Sequence, residues 1–144
     1  MEEVLKQLNE LCRDTLVDNL GMVFTAAGEG WLEARMPIDR RTCRPDGALH
    51  GGANMALAET VGGALSSMSV PPENRFHVFG IEVNGNHMKQ AQGGYVVAKG
   101  TFIHQGKRTH VVQVRIRNTG NGQPGDEYDC LRSDLHNMIS FYIH

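Results

Sequence analysis

The stretch that decides the reading of this chain is His50-Gly51-Gly52-Ala53-Asn54-Met55-Ala56-Leu57-Ala58-Glu59-Thr60-Val61-Gly62-Gly63-Ala64-Leu65-Ser66-Ser67-Met68-Ser69-Val70-Pro71-Pro72. From Ala53 to Val70 nothing interrupts a helical pattern. Pro71-Pro72 ends it, because proline has no N–H to donate and its ring clashes with the preceding turn. Projection at about 100° per residue puts Ala53, Leu57, Val61, Ala64, Leu65 and Met68 on one side, a stripe wide enough to bury against a sheet. The other side holds Met55, Glu59, Gly62, Gly63 and Ser66, a single carboxylate among small residues. A solvated face would carry several charges, so this second face is expected to be covered as well. Each glycine inside a helix costs about 1 kcal/mol relative to alanine, which is understandable where another backbone or a ligand comes close. A lone helical glutamate is usually just solvated. In these surroundings burial would raise its pKa, and such groups gather at functional sites. Glu59 is therefore the leading catalytic candidate.

His50-Gly51-Gly52 enters the helix where its first N–H groups have no intrahelical partner. Those donors, reinforced by the helix dipole, suit an oxyanion, and glycine lets a ligand reach the backbone. The competing reading is a histidine ring resting on a neighbouring carbonyl, with two glycines easing a tight entry. Gly51 and Glu59 are eight positions apart, roughly 12 Å of helical rise. One small substrate does not easily bridge that distance within a subunit, whereas a second subunit packed antiparallel brings its own Glu59 beside Gly51.

Outward from the helix, residues 2–14 space Val4, Leu5, Leu8, Leu11 and Cys12 as an amphipathic helix. Residues 16–27 and 31–38 read as extended segments joined by Gly28-Glu29-Gly30, a hairpin. Residues 39–49 are a polar loop leading into His50. After the prolines, residues 77–92, 95–104 and 109–118 read as strands separated by Gly93-Gly94 and by Gln105-Gly106-Lys107. The last of them alternates Val112, Val114 and Ile116 with Gln113, Arg115 and Arg117. Residues 119–127 read as a loop, and residues 138–143 as a returning strand. One long helix between groups of antiparallel strands is an α+β arrangement, expected as one domain over residues 1–144.

Composition removes several function classes. The 144 residues carry 14 Lys+Arg against 16 Asp+Glu, a net charge of −2, without the basic footprint of a nucleic-acid binder. Three separated cysteines (Cys12, Cys43, Cys130) form neither a disulfide framework nor a zinc ribbon. The seven histidines include no H-x-x-x-H or H-E-x-x-H, so neither a metal nor any other cofactor is expected. No apolar run approaches the ~20 residues of a membrane span, and the acidic start is unlike a signal peptide. A cytoplasmic protein with reduced thiols and no membrane partner is the expectation. The 17 glycines exceed ordinary usage of about 7%. They fall at turns, except for Gly51, Gly52, Gly62 and Gly63 at the entry and second face of the long helix.

Three motifs carry a resemblance. Leu49-His50-Gly51-Gly52-Ala53-x-x-x-Leu57-Ala58-Glu59-Thr60, then Gly80-Ile81-Glu82-Val83-Asn84-Gly85-Asn86-His87-Met88-Lys89, then Gly106-Lys107-Arg108-Thr109-His110-Val111 occur in the order found in hotdog-fold acyl-CoA thioesterases. The chain resembles that family over about residues 15–118, most closely the branch with 4-hydroxybenzoyl-CoA, 1,4-dihydroxy-2-naphthoyl-CoA and phenylacetate-pathway enzymes. The resemblance implies a long central helix wrapped by an antiparallel sheet of five or six strands. It implies a homodimer with sites at the subunit interface, often within a homotetramer, and an acyl-CoA substrate with an aromatic or medium-chain acyl group. Carried over, Glu59 falls on the carboxylate acting as nucleophile or general base, Gly51 on the backbone donor to the thioester carbonyl, and His50 on the histidine orienting that end. Gly52, His87, Met88, Lys89, Lys107, Arg108 and Thr109 fall on substrate or CoA contacts, the basic ones toward CoA phosphates. Two positions depart from the pattern: Arg44 stands where a glutamine often assists the thioester, and Gly63 where a Ser or Thr often follows the acid. These departures keep a second reading open, a non-catalytic acyl-CoA or acyl-carrier binding protein. A hotdog dehydratase fits less well, because its acid and histidine are placed otherwise.

Overall fold

A computed structural model describes residues 1–73, 78–120, 127–132 and 139–143. Its elements are α1 (Glu2–Leu11), α2 (Leu16–Asn19), β1 (Val23–Gly28), β2 (Trp31–Pro37), α3 (Gly51–Met68), β3 (Val78–Glu82), β4 (Asn86–His87), β5 (Tyr95–Gln105), β6 (Thr109–Asn118), β7 (Tyr128–Arg132) and β8 (Ile139–Ile143). The start expected at His77, residues 121–126 of the expected loop, with Gly122 and Gly125, and Met138 lie outside the described residues.

Alternating sequence sets the sheet. Leu32, Ala34 and Met36 of β2, Val96 and Ala98 of β5, and Val112, Val114 and Ile116 of β6 are all fully buried, one residue in two, as a strand half-covered by a helix requires. α3 crosses this face so closely that a Cβ added at Gly100 of β5 would lie 2.9 Å from Val61 Cγ1. The β1–β2 turn uses Gly30 at φ +73°, a conformation that costs glycine nothing. Asn9 of α1 accepts from Phe24 N–H (2.9 Å) and donates to Phe24 C=O (3.0 Å), which closes the free edge of β1.

The antiparallel sheet runs β1-β2-β5-β6 and then divides. The C-terminal half of β6 pairs with β7, which pairs with β4. Its N-terminal half pairs with β8, which pairs with β3. One limb therefore covers the start of α3 and the other its middle. This is the long helix wrapped by an antiparallel sheet that the resemblance implies.

Several expectations need correction. Among the described residues the sheet has eight strands where five or six were expected. The single strand expected over 77–92 is two, because this segment leaves the β8 limb after Glu82 and joins the β7 limb at Asn86. β7 was not foreseen. It is short and a bulge at Ile116/Arg117 shifts its register, which hides the alternation. Residues 16–19 are helical rather than extended, following Asp14 at φ +58° and an extended Thr15. The buried sector of α3 takes in Asn54, Ala58, Gly62 and Ser66 as well as Leu57, Val61 and Leu65. It is broader than the apolar stripe and turned toward the divided limbs.

Candidate active site

At the start of α3, His50 is extended and its Nδ1 accepts from Gly52 N–H at 2.9 Å. The ring caps the helix, satisfying one of its unpaired donors, rather than resting on a neighbouring carbonyl. With Nδ1 accepting, Nε2 carries the proton of the neutral ring. His50 C=O accepts from Asn54 N–H at 3.1 Å. Gly51 N–H, between these bonds, has no acceptor among the described residues. A Cβ at Gly51 would stand 3.1 Å from His87 Nε2, so the β4 histidine closes over this backbone. A cavity of about 340 Å³ opens here, with Arg44, Gly51, Asn54, His87, Met88, Lys89 and Cys130 in its walls. Cys130 is buried, and that desolvation pushes its thiol pKa up.

Glu59 lies two turns further along α3, against the other limb. Its Oε1 is 2.7 Å from where a Cβ on Gly80 would be. β3 can pass the carboxylate this closely because it presents bare backbone there. A cavity of about 420 Å³ surrounds the carboxylate, walled by Ala56, Gly63, Val78, Phe79, Gly80 and Phe141. His50 and Gly52 border an adjoining recess with Arg41 and Cys43, which meets the Glu59 cavity at Leu16 and Ala56.

The expectation of a covered Glu59 does not hold within one chain, where Glu59 is exposed. The limbs of the sheet cover α3 up to Gly62 and Ser66 and stop short of it. Gly62 also has a different reason from the one expected. A Cβ there would meet Phe141 Cε2 at 2.8 Å, so the close neighbour is the chain's own β8 ring rather than a substrate or second backbone. Gly63 lies beside the same ring at ordinary contact distance and faces the Glu59 cavity.

The expected residues thus fall into separate groups. Arg44, Gly51, His87, Met88 and Lys89 share one cavity, and Glu59 and Gly63 another. Lys107, Arg108 and Thr109 sit at the β5–β6 turn, where Arg108 C=O accepts from Ile143 N–H of β8 at 2.9 Å. Lys89 is not with them, since it lies on the β7–β4 side with its Nζ 4.1 Å over the Tyr128 ring. Sequence reading passed over Asn54, Gly80, Cys130 and Phe141. A lone amide in an apolar helix stripe and a glycine inside a strand pattern were the available signals. Among the described residues no group of three His, Cys, Asp or Glu side chains could hold a metal ion, and no helix is long and apolar enough to cross a membrane.

The thioesterase superfamily model matches residues 46–124, the span holding α3 with Gly51 and Glu59. The chain belongs to this superfamily. A Pasteurella multocida protein named as an esterase is 46% identical over 113 residues, 78% of this chain and 80% of that one. The 1,4-dihydroxy-2-naphthoyl-CoA hydrolase of Escherichia coli is 38% identical over 112 residues, 78% of this chain and 81% of that one. The crystal structure of a Haemophilus influenzae thioesterase superposes with a TM-score of 0.84 at 34% identity, covering 97% of this chain and 90% of that one. The fold is the hotdog fold and the chain is a thioesterase-family enzyme. What a thioesterase requires is a group to attack or activate water toward a thioester carbonyl and a donor to hold the resulting oxyanion.

Proposed function

We propose that the enzyme hydrolyses an acyl-CoA thioester, with an aromatic or medium-chain acyl group, to the free acid and CoA. Glu59 is the nucleophile or general base, and Gly51 N–H polarises the thioester carbonyl. One observation carries this reading: two features of α3 suited to such chemistry, an unpaired N–H and a carboxylate bordering a cavity, face different limbs of the sheet. Each half lacks its complement in one chain, and a second copy packed antiparallel supplies it. β3 supports such pairing, because its Phe79 and Ile81 are 52% and 56% exposed and β8 lies on one side only. In this reading the active form is a homodimer, itself pairing into a tetramer.

In this site the carbonyl oxygen accepts from Gly51 N–H, while His50 fixes the helix entry that aims it. Glu59 of the other copy either attacks the carbonyl carbon, giving an anhydride that water cleaves, or takes a proton from the attacking water. Either way the C–S bond breaks, the sulfur leaves as thiolate and is protonated, and one water is consumed. Lys107, Arg108 and Thr109, at an exposed turn beside β8, are assigned to the CoA phosphates in this reading. With Gly at position 63, water takes the place of the hydroxyl common in the family.

The test is complementation between two inactive variants. Glu59→Ala removes the carboxylate. Gly51→Pro removes the N–H at the first helical position, where proline is tolerated, and the extended His50 before it suits proline. Each alone should lose activity by about 10²-fold or more, followed by thiol release from a panel of acyl-CoAs. Mixed by denaturation and refolding, they should regain activity, since one hybrid site holds both intact halves. Full activity of Glu59→Ala, or no recovery in the mixture, would refute the shared site.

A further inference from the structure

Resting on that reading, we propose that the Gly51 cavity admits acyl groups bearing a carboxylate of their own, and that Arg44, aligned by Asp46, reads that charge. Arg44 Nε donates to Asp46 Oδ1 at 3.1 Å and Nη2 to Asp46 Oδ2. These are the donors on the side edge of the guanidinium. The end-on fork, formed by Nη1 and the remaining N–H of Nη2, has no partner among the described residues. Two parallel N–H groups match the two oxygens of a carboxylate.

Asp46 is itself held, since its Oδ1 accepts from Ala48 N–H at 3.3 Å. The turn carrying the pair is closed by Arg44 N–H to Ala48 C=O (2.7 Å) and Gly47 N–H to Arg44 C=O (3.0 Å). The ion pair therefore orients Arg44 rather than consuming its binding capacity. Hydrogen bonding to Arg44 also holds the Asp46 carboxyl below the ordinary carboxylate range, so the pair stays ionised.

The cavity shares this bias. Arg44 and Lys89 are both in its walls, with no carboxylate among them. At its inner end Asn54 is 3% exposed, and its Oδ1 is buried with no hydrogen-bond partner. Its Nδ2 reaches only Cys130 Sγ, at 3.9 Å. The unpaired Oδ1 calls for a donor, such as a water that enters with the ligand, rather than for the carboxylate itself. An aliphatic or unsubstituted aryl group would leave the Arg44 fork unused. The reaction keeps the ordinary balance of thioester hydrolysis: the distal carboxylate is unchanged, and water and thioester give acid and thiol.

Thioesters matched in size and differing in charge test this: glutaryl- against pentanoyl-CoA, and 4-carboxybenzoyl- against 4-methylbenzoyl-CoA. Each is also used as the N-acetylcysteamine thioester, which carries no phosphate. The wild-type enzyme should favour the carboxylated member of each pair by about tenfold or more in kcat/KM, with both thiol carriers. Arg44→Gln should bring that ratio near one, because kcat/KM falls more for the carboxylated member than for the neutral one. Asp46→Asn should fall between. Equal loss on both members would make Arg44 a phosphate or carbonyl contact and overturn the proposal, as would a wild-type enzyme that does not discriminate. Calorimetric affinities of the same pairs for Glu59→Ala separate the two readings. Tighter binding of the carboxylated member without any wild-type turnover would refute the hydrolytic assignment and sustain the specificity, and equal binding would refute the specificity.

Discussion

Replacing Gly62 and Gly63 by alanine, one at a time, makes a controlled comparison inside a single helical turn. Intrinsic helix preference favours alanine at either position by about 1 kcal/mol. The surroundings differ. A Cβ on Gly63 would lie 3.5 Å from Phe141 Cε1, ordinary contact, whereas one on Gly62 would lie 2.8 Å from Phe141 Cε2 and 2.9 Å from Cζ, with Ile139 Cγ2 at 3.6 Å behind. The Phe141 ring is 1% exposed, and its strand is held between β6 and β3, so it has little room to yield. Overpacking of this kind costs about 1–3 kcal/mol. Gly63→Ala should therefore be stabilised by about 1 kcal/mol, and Gly62→Ala should be neutral or destabilised by up to about 2 kcal/mol. At this chain length the difference of about 1–3 kcal/mol corresponds to roughly 3–10 °C in Tm. Thermal and urea unfolding measure it, at one protein concentration because self-association would shift both midpoints. Equal effects, or a Gly62→Ala protein as stable as Gly63→Ala, would refute the assignment of Gly62 to Phe141.

Gly80→Ala separates positioning from stability, because the atom its Cβ would meet, Glu59 Oε1 at 2.7 Å, ends a flexible side chain. The carboxylate should be displaced, lowering kcat by about tenfold or more while the urea midpoint changes little; a simultaneous collapse of stability would contradict it. His110 tests burial through pH. It is 2% exposed with Nδ1 unpartnered, and loss of hydration holds its pKa below the ordinary 6.5, against a smaller opposing effect from its bond to the Gly106 backbone. The unfolded chain then takes up a proton that the folded one refuses, so stability present above about pH 6.5 declines as pH falls through and below that value. Urea midpoints should drop from pH 7.5 to 5.5 in the wild type and drop less in His110→Asn; identical pH profiles would show that His110 is not the group responsible.

Much of this was legible along the chain, because it depends on local order. Alternation in β2, β5 and β6 and the uninterrupted pattern of α3 follow from which residues recur every second or every third to fourth position. The motif around His50, Gly51 and Glu59 likewise names its residues without coordinates. Less legible were β7 and the break between β3 and β4, where pairing partners far away in sequence override local pattern. The orientation of α3 also escaped. Gly62 and Ser66 share a face with Glu59 in projection, yet they are buried while Glu59 is exposed, and Phe141 of β8 lies against Gly62.

By itself the sequence determined the long helix α3, the central strands β2, β5 and β6 with the face each buries, and the motif that carries His50, Gly51 and Glu59. Spacing along one helix even separated Gly51 from Glu59. Only the tertiary structure decided what surrounds them: the division of the sheet at β6, which sets Gly51 and Glu59 against different limbs, the Phe141 ring packed on Gly62, and the Asp46 contact that leaves one edge of Arg44 free. Helical and strand periods are properties of neighbouring residues, whereas these contacts join positions brought together by long-range pairing, and no local pattern encodes a neighbour it does not contain.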